Sequence, residues 1–266
     1  MKGKNGIFKI FITSVYDIRV FPEYAKLGVM KAIIYILIVC CGLGIVKGGF
    51  LGYRINLGIS SITKYLQSEG KDISIKNGLL NLDSNITNAD NYVYLDTDRT
   101  VNDDIDYNNI FYNNKANLLI LKDGIAFNNY GSVYVLDYNG LFKIQDVDSE
   151  TIINKAKTFS VGIIGIMILI NIIELIKNLA FNYLIIVTAA LLVSIFMKML
   201  VKYKALWSLV IYASTLPLII LTILNLLNPN INFDFTFIGG TLVYTILTLR
   251  HIKDEIIEKL SKRKFK

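Results

Sequence analysis

Residues 29–46 read VMKAIIYILIVCCGLGIV, and Lys31 is the only charged side chain among them. A run this long and this apolar is expected to cross the bilayer as a helix, which needs roughly 20 apolar residues to span about 30 Å of hydrocarbon. A helix also satisfies its own backbone polar groups, as lipid requires. Lys31 sits near the start, where its stem can carry the ammonium to the headgroups. Lys47 and the Gly48-Gly49 pair read as its end. The run begins late for a cleavable leader and no A-x-A-like site follows it, so it is expected to remain as an anchor.

Composition agrees with a membrane chain. Hydrophobic residues make up 53% and charged residues 18% of the 266, against roughly 25% charged in soluble domains. The net charge of +7 is unevenly placed: 7 Lys/Arg oppose 2 Asp/Glu in 1–47, 10 oppose 14 in 48–157, and 11 oppose 5 in 158–266. The basic excess flanks apolar stretches, which suits anionic lipid rather than nucleic acid. Cys40 and Cys41 are adjacent inside the first apolar run. Adjacent cysteines seldom bridge each other, and they read as small residues of a membrane helix.

Upstream, residues 7–21 (IFKIFITSVYDIRVF) place Ile7, Phe8, Phe11, Ile12, Val15 and Ile18 on one helical stripe. This 1–27 segment reads as an amphipathic helix stopped near Pro22. It either lies in the membrane interface or packs on the rest of the protein.

Downstream, the first span (28–47) gives way to a soluble domain over 48–157. Ile55, Ile59, Ile62 and Leu66 mark an amphipathic helix ending near Gly70. Asn77-Gly78 between apolar runs and Asp123-Gly124 between Leu118–Leu121 and Ile125–Phe127 are hairpin signals. Tyr92–Leu95 and Val133–Leu136 read as further strands, the latter closed by Asn139-Gly140, and Ser149 with Thr151 as the start of a return helix. The expected domain is a small, mainly antiparallel β (α+β) fold inserted into an α-helical polytopic membrane bundle.

The bundle fills 158–250 with four apolar segments, 158–176, 181–201, 205–227 and 235–250, separated at Asn178–Asn182, Lys202–Lys204 and Asn228-Pro229-Asn230. A basic tail, 251–266, follows. The basic N-terminus asks to be cytoplasmic, which puts 48–157 outside. Five crossings would then leave Lys198–Lys204 and the tail outside as well, against the positive-inside rule. Either 158–201 crosses once, giving four crossings, or the whole arrangement is inverted.

Catalytic patterns are sparse. The one histidine, His251, lies in the tail without metal-spaced partners. No phosphate-binding glycine loop and no nucleophile elbow is present. Glu174, an ionisable group in an apolar segment, is a functional candidate by default, while Lys177 one turn later suggests a structural ion pair. Pro217 interrupts the 205–227 segment, with Ser214 and Thr215 placed to satisfy freed backbone groups. Gly239-Gly240 with Thr241 offers a close helix contact. Asp96, Asp98, Asp103, Asp104 and Asp106 with Asn102 lack the calcium-loop register and read as a solvated acidic loop.

Two stretches carry a family likeness: IFKIFITSVYDIRVF, and VKYKALWSLVIYASTLPLIILTIL over 201–224, in which Tyr212-Ala213-Ser214-Thr215-Leu216-Pro217 is the most distinctive string. With the order span, NGLL- and YVYLDT-bearing domain, then clustered spans, the chain resembles the Gram-positive membrane family numbered 1189 among the domains of unknown function. Some members of that family carry a maltodextrin-utilisation label, and it is distantly similar to the Yip1-like five-span proteins. The resemblance implies a multi-pass bacterial plasma-membrane protein and supplies no catalytic residues. The expectation is a non-enzymatic adaptor or sensor that needs no cofactor or metal. It would contact the bilayer and another membrane protein, and no nucleic acid. An accessory transporter subunit, sugar-linked by the family label, is the alternative. Glu174, Lys177, Tyr212 and Pro217 are the candidate functional or structural residues of the bundle.

Overall fold

A computed structural model describes residues 6–69, 72–82, 92–138, 148–228 and 231–264. Lys2, Lys4, the Asn139-Gly140 turn and the Pro229-Asn230 pair lie outside the described residues. The chain divides into two compact units. One comprises Met1–Leu43, Ile172–Leu224 and Phe233–Lys266, and the other Gly44–Asn171 and Asn225–Asn232.

The N-terminal segment forms helix α1 (Ile7–Tyr16), a 3-10 turn (Ile18–Val20) and a short helix α2 (Phe21–Ala25). Asp17, not Pro22, ends α1: its backbone turns extended, and its carboxylate accepts from the backbone N–H and Nε of Arg19, both at 3.0 Å. These hydrogen bonds hold the Asp17 carboxyl below its usual range. Pro22 instead sits in the first turn of α2, where its missing N–H costs nothing. The expected stripe is not the buried face of α1: Ile10 and Ser14, which lie off it, are buried, as are Phe21 and Tyr24 of α2, while Ile7, Phe8 and Ile12 of the stripe stay exposed.

Helix α3 runs unbroken from Val29 to Glu69. The helix does not stop at Lys47-Gly48-Gly49, and Gly48 serves packing instead. A Cβ on Gly48 would lie 2.4 Å from the Cα of Ile168, and one on Gly52 2.8 Å from the Cα of Ile164. Gly48 and Gly52, four residues apart, therefore let α3 touch the backbone of a second long helix, α5 (Ser149–Phe196). The return helix opens at Ser149 as expected, and the Asp148 carboxylate before it accepts from Thr151 N–H at 3.1 Å. Asn178–Asn182 does not interrupt α5, so 158–176 and 181–201 are not two separate helices: Met197 ends a single one.

The sheets lie between these helices in the chain. Strands β1 (Ile73–Lys76) and β2 (Leu79–Leu82) form an antiparallel hairpin through Asn77-Gly78, both at positive φ, 51° and 73°. Strands β3 (Val93–Asp96), β4 (Leu118–Leu121), β5 (Gly124–Asn129) and β6 (Ser132–Asp137) form the second sheet in that order. β4–β5 and β5–β6 are antiparallel, but β3 pairs parallel with β4. The parallel pair needs a crossover, and 97–117 supplies it with a short helix, α4 (Tyr107–Asn113). The acidic residues of this crossover bind backbone: Asp106 caps α4 through Asn109 N–H at 3.2 Å, and Asp103 accepts from Thr100 N–H at 2.6 Å. Gly124 opens β5 rather than turning the β4–β5 hairpin, because a Cβ there would meet the Leu136 carbonyl at 2.4 Å. The β5–β6 hairpin turns at Tyr130-Gly131, φ 52° and 94°.

One face of the second sheet, with Val93, Leu118 and Phe127, packs on Leu51 and Ile55 of α3 and Met167 of α5. Ile59 and Ile62 continue that stripe towards Leu66, which meets Ile73, Leu80 and Leu95. The opposite face is covered by Phe111 of α4. The hairpin tip is tied by polar contacts. Tyr130 donates to the Lys47 carbonyl at 2.9 Å, the Lys47 ammonium lies 4.3 Å from the Tyr130 ring centroid, and Asn171 Nδ2 donates to Asn129 Oδ1 at 2.8 Å.

The other unit is helical: α6 (Tyr203–Ala213), α7 (Thr215–Leu227) and α8 (Asp234–Lys264) join α1, α2 and parts of α3 and α5. α3, α5 and α8 are long and apolar enough to cross a membrane. So is the α6–α7 pair, bent by 42°, if it acts as one span.

Gly48→Val places a branched side chain against the Ile168 backbone and forces α3 and α5 apart. We expect a loss of about 1–3 kcal/mol, read as a lowered thermal midpoint of the purified protein in detergent. Gly49→Ala, at a site with nothing within 4 Å of the added methyl, should leave the midpoint unchanged or raise it.

Candidate functional site at the broken helix

The segment 205–227 breaks at Ser214, between α6 and α7. Pro217 has no N–H, so the Ala213 carbonyl loses its helical donor. The two hydroxyls beside the break repair neighbouring carbonyls: Ser214 Oγ donates to Ile211 O at 2.8 Å and Thr215 Oγ1 to Tyr212 O at 2.9 Å. Each hydroxyl has one proton, so two phenols that reach them act as donors. Tyr183 of α5 lies 2.7 Å from Ser214 Oγ, and Tyr35 of α3 lies 2.8 Å from Thr215 Oγ1.

Tyr212, one of the sequence candidates, stands at the centre. Its ring contacts those of Tyr24 and Tyr35 at centroid distances of 5.5 and 5.1 Å, and it is fully buried. Tyr24 in turn meets Thr13 Oγ1 at 2.8 Å. Pro217 faces Gly240 of α8, where an added Cβ would come within 3.4 Å of the proline ring; Gly239 faces open space. Tyr212 OH and Thr241 Oγ1 are buried without a hydrogen-bond partner among the described residues. A buried hydroxyl left unsatisfied costs about 1–3 kcal/mol. The cluster is neutral, and its hydroxyl donors and acceptors join the break to α3 and α5.

Glu174 and Lys177 are placed otherwise. Glu174 is half-buried on α5 with an interaction partner, and Lys177, one turn on, is exposed. Sequence reading identified Tyr212 and Pro217 but missed Tyr35 and Tyr183. A single tyrosine in an apolar run carries no sign of which hydroxyl it meets 180 or 31 residues away.

Thr215→Val removes the acceptor of Tyr35 and the donor to Tyr212 O together. The thermal midpoint should fall by the equivalent of about 1–3 kcal/mol, and Thr215→Ser should restore most of it. If Glu174 is a structural carboxylate, Glu174→Gln should leave expression and any phenotype of the intact protein largely unchanged. Complete loss of function at normal expression would instead assign Glu174 to ion or proton coupling.

No curated protein and no solved structure matches the chain. Residues 8–251 match the family described as Protein of unknown function (DUF1189). With nearly the whole of its length covered, the chain belongs to that family.

Proposed function

We propose that the chain is a non-enzymatic plasma-membrane protein of four spans. Its sheet-bearing unit lies outside the cell and binds a ligand or partner as a sensor or adaptor. The observation that carries this reading is the continuity of α5. With one helix over Ser149–Phe196 and one bent span over α6–α7, the spans are α3, α5, α6–α7 and α8, an even number. Lys9, Arg19, Lys26, Lys198, Lys202, Lys204 and the basic tail then all fall on the cytoplasmic side, as the positive-inside rule asks. A second constraint agrees with this count. Asn225–Asn232, the end of α7 and most of the link that follows it, belongs to the same compact unit as Gly44–Asn171, and four crossings put both on the outer side.

The sensor reading draws on the way the sheet is attached. Its hairpin tip is tied to α3 through Lys47 and to α5 through Asn171, and both helices are unbroken. A partner bound to the sheet can bias the two helices only through differential contacts of this kind. The accessory-transport reading draws instead on the neutral hydroxyl cluster at the α6–α7 break, since polar groups inside a bundle mark substrate paths in transporters. Proteins co-purifying from native membranes separate the two: transporter subunits favour the second reading, any other stable partner the first.

Orientation is tested with single cysteines in a Cys40→Ser, Cys41→Ser background. Asn102→Cys, at an exposed position, should react with an impermeant thiol reagent on intact protoplasts. Ser261→Cys should react only after lysis. Labelling of Ser261→Cys alone would mean the inverted arrangement and would remove the extracellular sensor. Labelling of both would mean an odd number of crossings.

A further inference from the structure

Arg54 lies on the face of α3 that turns to the sheet. Its guanidinium carbon is 3.8 Å from the ring centroid of Tyr92 and 5.3 Å from that of Phe50. Its Nε is buried without a hydrogen-bond partner among the described residues, while the residue as a whole is part-exposed. Such a group seeks an acceptor: an unsatisfied buried donor costs about 1–3 kcal/mol, and more when charged. With aromatic rings against the guanidinium plane, the N–H edge is the direction left for a ligand. That edge matches the paired oxygens of a phosphate.

The position along the helix indicates which phosphate. Helical side chains lean towards the N-terminus, and Arg54 does so, reaching over Phe50 four residues earlier. The guanidinium thus stands level with Phe50, four residues beyond the apolar run that ends at Val46. At 1.5 Å per residue this is about 6 Å past the hydrocarbon edge, within the roughly 5–8 Å occupied by headgroups in each leaflet. Phe50 and Tyr53 are 41% and 55% exposed, as aromatic residues at a membrane interface are. Lys47 lies two turns earlier on the same face with its ammonium against Tyr130. Burial raises the Tyr130 phenol, and the charge of Arg54 opposes the rise. Tyr92 holds its ring on Arg54 from a backbone with φ 78°, a conformation that costs a non-glycine residue about 1–2 kcal/mol.

We propose that Arg54, framed by Tyr92 and Phe50 and supported by the charge of Lys47, binds the phosphate of an anionic phospholipid headgroup at the outer end of the first span. The proposal rests on the reading of α3 as a span with the sheet-bearing unit outside.

The test uses the full-length protein purified in dodecyl maltoside and titrated with phosphatidylglycerol under native mass spectrometry. Arg54→Gln should weaken the apparent affinity about tenfold, and Arg54→Lys, which keeps the charge but loses the fork, by a smaller factor. Titrations of the wild type and Arg54→Gln that superimpose, with equal thermal midpoints, would overturn the site. Should Arg54→Gln not fold, Arg54→Lys decides, and an affinity equal to the wild type overturns the site. Inorganic phosphate at millimolar concentration should compete poorly. Displacement of phosphatidylglycerol by inorganic phosphate at the lipid's own concentration would overturn the lipid as the source. Alkaline carbonate extraction separates this from the topology: release from membranes overturns the span itself, whereas a membrane-retained protein indifferent to Arg54 overturns the lipid site alone.

Discussion

The contact of Gly48 and Gly52 with the backbone of Ile168 and Ile164 is the constraint on which the sheet-bearing unit depends. It brings α3 and α5 close enough for Leu51, Ile55 and Met167 to form one apolar surface. The sheet lays Val93, Leu118 and Phe127 on that surface, and the α3 stripe continues it through Ile59 and Ile62 to Leu66. A side chain at Gly48 would remove the platform before it removed any contact of the sheet itself. The polar ties at the hairpin tip are secondary in energy, about 1 kcal/mol for a hydrogen bond such as Tyr130 to the Lys47 carbonyl. They fix position: an apolar face can slide, whereas Asn171 to Asn129 and Tyr130 to Lys47 each admit one register.

Where local chemistry decides, the sequence was readable. Asn77-Gly78 turns a hairpin because both residues tolerate positive φ. The stripe Ile55, Ile59, Ile62, Leu66 packs on the sheets because its spacing admits one helical face. Pro217 lies at the break because it removes a donor. Where the deciding partner is remote, the sequence was silent or misleading. Glycines at 48 and 49 resemble a helix end unless the backbone of Ile168 is in view, and Asn178–Asn182 resembles a loop although α5 passes through it. Tyr130 at positive φ is an unusual turn residue whose reason is its phenol on the Lys47 carbonyl. Alternation marks β3 as a strand but holds nothing about whether β4 runs parallel to it.

Two kinds of hydroxyl in the helical unit bear on what the break is for. Thr188, Thr222, Thr245 and Thr248 each donate to the carbonyl four residues earlier in their own helix. That arrangement is self-contained and recruits nothing. Ser214 and Thr215 also donate to nearby carbonyls, but in doing so they turn their oxygens into acceptors for Tyr183 and Tyr35, on helices distant in sequence. The break thereby converts local backbone repair into bonds between elements. Tyr212, against the rings of Tyr24 and Tyr35, adds a hydroxyl that these bonds leave over. Hydroxyl bonds can exchange partners without moving a charge into an apolar interior, whereas separating a buried ion pair there would cost several kcal/mol. A neutral, hydroxyl-linked break therefore fastens the α6–α7 pair to α3 and α5 without placing a charge in the apolar interior.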